Sequence, residues 1–225
     1  MSRPIAPYEL SPSNAETVIR DGKVILSTPR KKVAITGAGK SLRRLPWLDR
    51  DYEIWGLNNF WNAMRDPQGR LRADRWFELH PPTEDIQDEF DMQWLRECPV
   101  PIYTTEPFDK NPNAVVFPLQ ELSIKYRDYF SCTFAYQIAL AIDEGFEEIA
   151  VHGLELVHGT QREATVERAC VDWWLGYAEG LGITIDIPTG DHVLKHWARY
   201  GFDYWQEANI VRQYVGSFVD RKVAE

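Results

Sequence analysis

The stretch CTFAYQIALAIDEGFEEIAVHGLEL, residues 132–156, puts a helix directly in front of a buried strand, an arrangement that few folds accept. Phe134, Ile138 and Ala141 recur at helical spacing as far as Gly145, a residue type that ends helices in a left-handed conformation, and the apolar run EIAVHGLEL follows at once. The same alternation runs along the chain. Val33–Thr36, YEIWGLN (52–58), RWFELH (75–80), VPIYTTE (100–106), AVVFP (114–118) and ITIDIP (183–188) read as strands. TEDIQDEFDMQWLREC (83–98), with Thr83 as N-cap, LQELSIKYRDYF (119–130) and a long segment from Glu163 to Gly180 read as helices. Strands separated by helices of this length join through βαβ crossovers, so the expected fold is α/β: a doubly wound, mainly parallel Rossmann-like sheet with helices on both faces. Residues 1–30, rich in proline and serine, read as an extended arm with one edge strand in KVILSTP. Residues 31–200 form the expected domain and 201–225 a helical tail.

Ligands of such sheets bind beyond the carboxyl ends of the strands, where strand order reverses. Those ends carry Gly37 to Ser41, Asn58-Asn59, His80, Thr104 to Glu106, Ser131 to Thr133, Gly153 to Gly159 and Pro188 to His192. In KVAITGAGKSLRRLPW (32–47) the tripeptide GKS imitates the end of a P-loop, but counting back five residues from Gly39 reaches Ala34, inside the strand. Too little loop is left to wrap a phosphate chain. A tight glycine turn into a short helix capped by Ser41 remains, and its N–H groups are expected to be open to a phosphate. The dinucleotide fingerprint also fails, with Leu42 at the third glycine position and Asn58-Asn59 where an acid should end the second strand. An asparagine amide there can donate to and accept from a ribose or base edge, or else cap the segment starting at Phe60.

The 225 residues carry a formal charge of −9, a balance that favours a small ligand over a nucleic-acid backbone. No apolar run is long enough to span a bilayer, and a cytoplasmic protein without membrane contact is expected. Cys98, Cys132 and Cys170 lack metal-ligand or disulfide spacing and read as buried thiols. Asp49 and Asp51 precede a strand, on the side away from the ligand edge, and read as a solvated loop; no metal site is expected. Most of the nine tryptophans fall at core positions. Trp197, Tyr200, Tyr204 and Trp205 crowd the C-terminal region, a composition suited to an acceptor pocket or to a homo-oligomer contact.

Taken in order, Gly-x-Gly-x-Ser-Leu after the first strand, Asn-Asn-Phe after the second, a Ser/Thr cluster opening the buried helix and Gly-hydrophobic-acid after the following strand resemble the family 42 sialyltransferases and related Rossmann-like proteins. EIWGLN, RWFELH, the pattern Glu163-x4-Arg168-x3-Asp172-x3-Gly176 and Gly180-x-Gly182-Ile183 are similar to those of a group of phage proteins, which would place the chain in a host cytoplasm. The resemblance covers residues 31–200. It implies a glycosyltransferase-like enzyme that takes a nucleotide-sugar as co-substrate, needs no other cofactor and acts on a small acceptor. It assigns Gly37, Gly39, Ser41, Asn58, Ser131 and Thr133 to the nucleotide, and Asn59 and Gly153, at the same strand ends, join them as nucleotide-binding candidates. The phage pattern adds Glu163, Arg168 and Asp172 as a substrate cluster, whose ordinary alternative is a surface ion pair. The chain departs from the family at Phe134, where the family has glycine, and at Val157-His158-Gly159, where it has tyrosines.

Transfer to a hydroxyl needs a base within hydrogen-bond reach of it. His158, Glu155 and His80 lie at strand ends on the ligand side and are the catalytic candidates. Two alternatives stay open at this point: a module that binds a nucleotide or nucleotide signal without turning it over, and a transferase resembling the pterin diphosphokinases.

Overall fold

The computed structural model describes residues 9–27, 29–80, 89–156, 160–188 and 193–194. The chain divides into two compact units, Met1–Val193 and Leu194–Glu225. The elements described all lie in the first, and the expected tail and its aromatic cluster fall outside the described residues.

Near the N-terminus the structure corrects the expected arm. Thr17–Arg20 (β1) and Lys23–Leu26 (β2) pair antiparallel as a hairpin separate from the main sheet. Asp21 and Gly22 both have positive φ, 52° and 71°, the two-residue turn whose twist matches that of paired strands. Ile19 and Val24 pack against the core, whereas Val18 and Ile25, partners across the hairpin, stay exposed.

The main sheet has seven strands. They are Lys32–Thr36 (β3), Tyr52–Leu57 (β4), Arg75–Phe77 (β5), Ile102–Thr104 (β6), Ala114–Val116 (β7), Glu148–His152 (β8) and Thr184–Asp186 (β9). Their order is β7-β6-β5-β4-β3-β8-β9, with every neighbouring pair parallel. The helices are Glu89–Glu97 (α1), Leu119–Lys125 (α2), Thr133–Asp143 (α3) and Gln161–Gly180 (α4). Thr83, the expected cap of α1, lies outside the described residues. Gly145 ends α3 with φ of 79°, and Thr160 starts α4 with a capping box: its hydroxyl accepts from the Glu163 N–H while the Glu163 carboxylate accepts from the Thr160 N–H.

Side chains alternate between two cores, as both faces of a covered sheet require. Val33, Ile35, Trp55, Ile149 and Val151 pack with Ile138 of α3 and Trp174 of α4. Ala34, Ile54 and Ala150 face the other way, with Trp76, Trp94 and Leu95. Two buried ionic groups fasten the sheet. Asp74 accepts from the Ile54 N–H at 2.8 Å and from Arg30 at 3.0 Å, and pairs with Arg72. Arg75, stacked over Trp55, pairs with Glu53, bonds the Tyr103 hydroxyl at 3.0 Å and grips both carboxylate oxygens of Glu144 at 2.6 Å. Among the described residues no helix is long and apolar enough to cross a membrane.

Successive strands step outward from β3 to β7, and the chain then returns to place β8 and β9 on the opposite side of β3. Strand order therefore reverses between β3 and β8, and the crevice of a doubly wound sheet belongs above their carboxyl ends.

Candidate functional site

A cleft of about 660 Å³ opens at that point, bordered by the exits of β3, β4, β5 and β8 and by the start of α3. It gathers most of the residues picked out by the sequence. Gly37, Gly39, Asn58, Asn59, Ser131, Thr133 and Gly153 line it, as do His80, Glu155 and Glu163. Ser41 lies behind the wall, and His158 is outside the described residues. Arg168 and Asp172 do not reach the cleft: they line a separate shallow groove on α4 with Gln161, Ala164, Thr165 and Ala169. Residues 163 and 167 share one stripe of the helix, whereas 164, 168 and 172 share another.

The glycine turn departs from expectation. Three of its amides are occupied by the protein's own chain. Gly37 N–H donates to the His152 carbonyl at 2.7 Å, Gly39 N–H to the Gly153 carbonyl at 3.0 Å, and Lys40 N–H to Glu155 Oε1 at 2.7 Å. Ser41 caps no helix; its hydroxyl accepts from the Gly153 N–H, and the segment Lys40–Arg44 is a short 3-10 helix. Glycine is needed here for contact between backbones. A Cβ on Gly153, whose φ is 77°, would lie 2.2 Å from the Gly37 carbonyl oxygen, and one on Gly37 would lie 2.5 Å from that of Gly153. The turns leaving β3 and β8 thus interlock across the reversal point, and Glu155 fills the hollow beside Gly39 that an anion was expected to take.

Asn58 is the opposite case. It ends β4 with φ of 49°, a left-handed conformation that asparagine tolerates better than most residues. Its side chain caps nothing, since the short 3-10 helix that follows starts after Phe60 without a side-chain cap. Asn58 Oδ1 is buried without a partner at the edge of the cleft. A buried acceptor left unmade is costly, which makes this atom a candidate to meet a ligand's donor.

The electrostatics of the cleft are acidic. Among its described lining residues are Glu155, Glu163 and Glu167, with His80 but no lysine or arginine. The Glu163 carboxyl is held below its ordinary range by its capping bonds to Thr160. Glu167, half-buried, is pushed above that range by burial and by the neighbouring Glu163. His80 Nδ1 lies 2.5 Å from Glu78 Oε1, and Glu78 is itself buried. Burial raises the Cys132 thiol to about 12, too high for a thiolate nucleophile at neutral pH. Glu167 escaped the sequence reading, although its four-residue spacing from Glu163 on one helix carries the signal. Among the described residues no group of three His, Cys, Asp or Glu side chains is placed to hold a metal.

The fold resembles that of two solved sialyltransferases. The monofunctional α-2,3-sialyltransferase Cst-I from Campylobacter jejuni superposes with a TM-score of 0.51 at 15% identity, over 88% of this chain and 100% of that one. An α-2,3-sialyltransferase from the same organism, in apo form, gives 0.51 at 17% identity over 77% and 81%. At such identities the likeness is one of fold. No protein-family model matches the chain, and no curated protein does.

Proposed function

We propose that the cleft binds a cytidine nucleotide or nucleotide-sugar and that the protein is a glycosyltransferase-like transferase acting on a small acceptor. Asn58 carries this reading: a strained residue with a buried, unpartnered acceptor, at the point of the sheet where the family 42 sialyltransferases hold a cytidine nucleotide. The sialyltransferase-like fold and the position of Ser131 and Thr133 across the cleft support it. In the transfer, the acceptor oxygen bonds to the anomeric carbon while the bond from that carbon to the nucleotide phosphate breaks, the electron pair leaving with the phosphate oxygen. The acceptor proton passes to a base, for which His80 and Glu155 are the described candidates and His158 the further one.

Calorimetric titration with CMP, UMP and AMP tests the binding half. Tighter binding of CMP than of the other two, weakened about tenfold in Asn58→Ala by the loss of one or two hydrogen bonds, is the expected result. Equal or absent binding of all three overturns it. Incubation with a panel of nucleotide-sugars then tests turnover through release of free nucleotide, with ATP and Mg²⁺ as the arm for a pterin diphosphokinase-like activity.

One observation favours a second reading, a module of phage origin that captures a nucleotide or nucleotide signal without turning it over. Both described base candidates are already engaged, Glu155 with the Lys40 amide and His80 with Glu78. Binding of CMP with no nucleotide released from any sugar donor selects that reading.

The acidic lining makes a further prediction. Glu155→Gln keeps an oxygen for the Lys40 amide and removes one negative charge, so affinity for CMP should rise about fivefold, the worth of a unit charge some 4 Å away in water. Affinity for uncharged cytidine should stay level. Equal gains for both ligands would refute a charge effect.

A further inference from the structure

We infer that Trp76 is the positioning residue of the cleft: its indole N–H fixes the backbone of Asn58 and thereby the direction of the side chain that meets the ligand. Trp76 is fully buried in β5 and is not among the residues lining the cleft, but it meets two that are, Asn58 through a hydrogen bond and Phe60 through a ring contact. Its Nε1–H donates to the Asn58 carbonyl at 2.9 Å, and the Asn58 N–H donates to the Phe77 carbonyl at 2.9 Å. Both backbone groups of Asn58 are thus held from β5, one by an indole and one by the main chain. That leaves the left-handed conformation no freedom to relax, and Oδ1 stays where it is, buried and unpartnered.

The indole reaches Asn58 because β4 carries glycine two residues earlier. A Cβ on Gly56 would lie 2.2, 2.5 and 2.7 Å from three ring atoms of Trp76, so the ring lies flat against the strand only where no side chain stands. Trp94, edge-on at 5.0 Å, and Phe60, tilted at 5.6 Å, close around the ring and set its rotamer. On the α3 side, Gln137 Nε2 donates to the Gly56 carbonyl at 3.3 Å, so the end of β4 is held from two elements at once.

The inference rests on the reading of the cleft as a nucleotide site, and a double-mutant cycle read by CMP titration separates the two. Trp76→Phe keeps an aromatic ring and removes the donor; benzothienylalanine at position 76, installed by codon suppression, keeps the full indole shape with sulfur in place of N–H. Either change should weaken CMP binding about five- to tenfold, the worth of one hydrogen bond. On an Asn58→Ala background the same change should shift binding less than about twofold, because the group being positioned is gone. Equal weakening on both backgrounds, or none on the native one while Asn58→Ala still weakens binding, overturns the role of Trp76 and leaves the nucleotide reading intact. Absence of CMP binding by the native protein overturns both. If Trp76→Phe fails to fold, the isosteric variant alone decides.

Discussion

Alanine at position 153 is expected to destabilise the protein by about 3 kcal/mol or more and to abolish ligand binding. Two effects add. The left-handed backbone, with φ of 77°, costs a residue with a Cβ about 1–2 kcal/mol. The Cβ would also meet the Gly37 carbonyl oxygen at 2.2 Å, a backbone atom that cannot turn aside, and overpacking of that kind costs a further 1–3 kcal/mol, roughly. Gly69→Ala is the control: φ there is 81°, but nothing lies within 4 Å of the added carbon, so only the first cost applies. Urea midpoints of the two variants measure the difference. Equal shifts would show that the turns leaving β3 and β8 are not interlocked as described.

Arg75→Met should be nearly as damaging, for an electrostatic reason. The guanidinium is the shared partner of Glu53, fully buried, and of Glu144, and removing it strands the Glu53 carboxylate in the core, a loss of about 3–5 kcal/mol. Burial pushes the Glu53 carboxyl above the ordinary range and Arg75 pulls it back. With the pull gone, the folded state holds a proton that the unfolded state releases. The contribution of Glu53 to the stability of Arg75→Met is therefore fully present below the ordinary carboxylate range and is lost as pH rises through its folded-state pKa. The double variant Arg75→Met with Glu53→Gln should recover part of the loss and lose the slope. A flat profile in the single variant would mean that Glu53 is reached by water.

The main sheet and its ligand edge were legible because their signals are local. A helix that runs through Gly145 into an apolar strand leaves little choice but a parallel crossover, and strand ends mark the crevice without any distant contact being known. The hairpin was missed: Asp21-Gly22 between two short alternating runs carries its signal, but the proline and serine before it suggested an arm and hid the turn. The meaning of Gly37 and Gly39 was not legible. The constraint on them is Gly153, whose N–H meets the Ser41 hydroxyl across 112 residues of chain, and no window of sequence contains both. Arg168 and Asp172 went astray for a different reason. A four-residue spacing says that two side chains share a stripe of a helix but not which way the stripe faces, and the cleft took the stripe of Glu163 and Glu167.

The place of β8 in the sheet bears on synthesis. A ribosome delivers β3 to β7 in the order in which they stack outward, so that five of the seven strands can assemble as they emerge. The opposite wall waits for Glu148–His152, and Gly37 has no neighbour to lock against until Gly153 arrives. A nascent chain halted before that point has the asparagines but no crevice, which takes shape only once about two thirds of the polypeptide has been made.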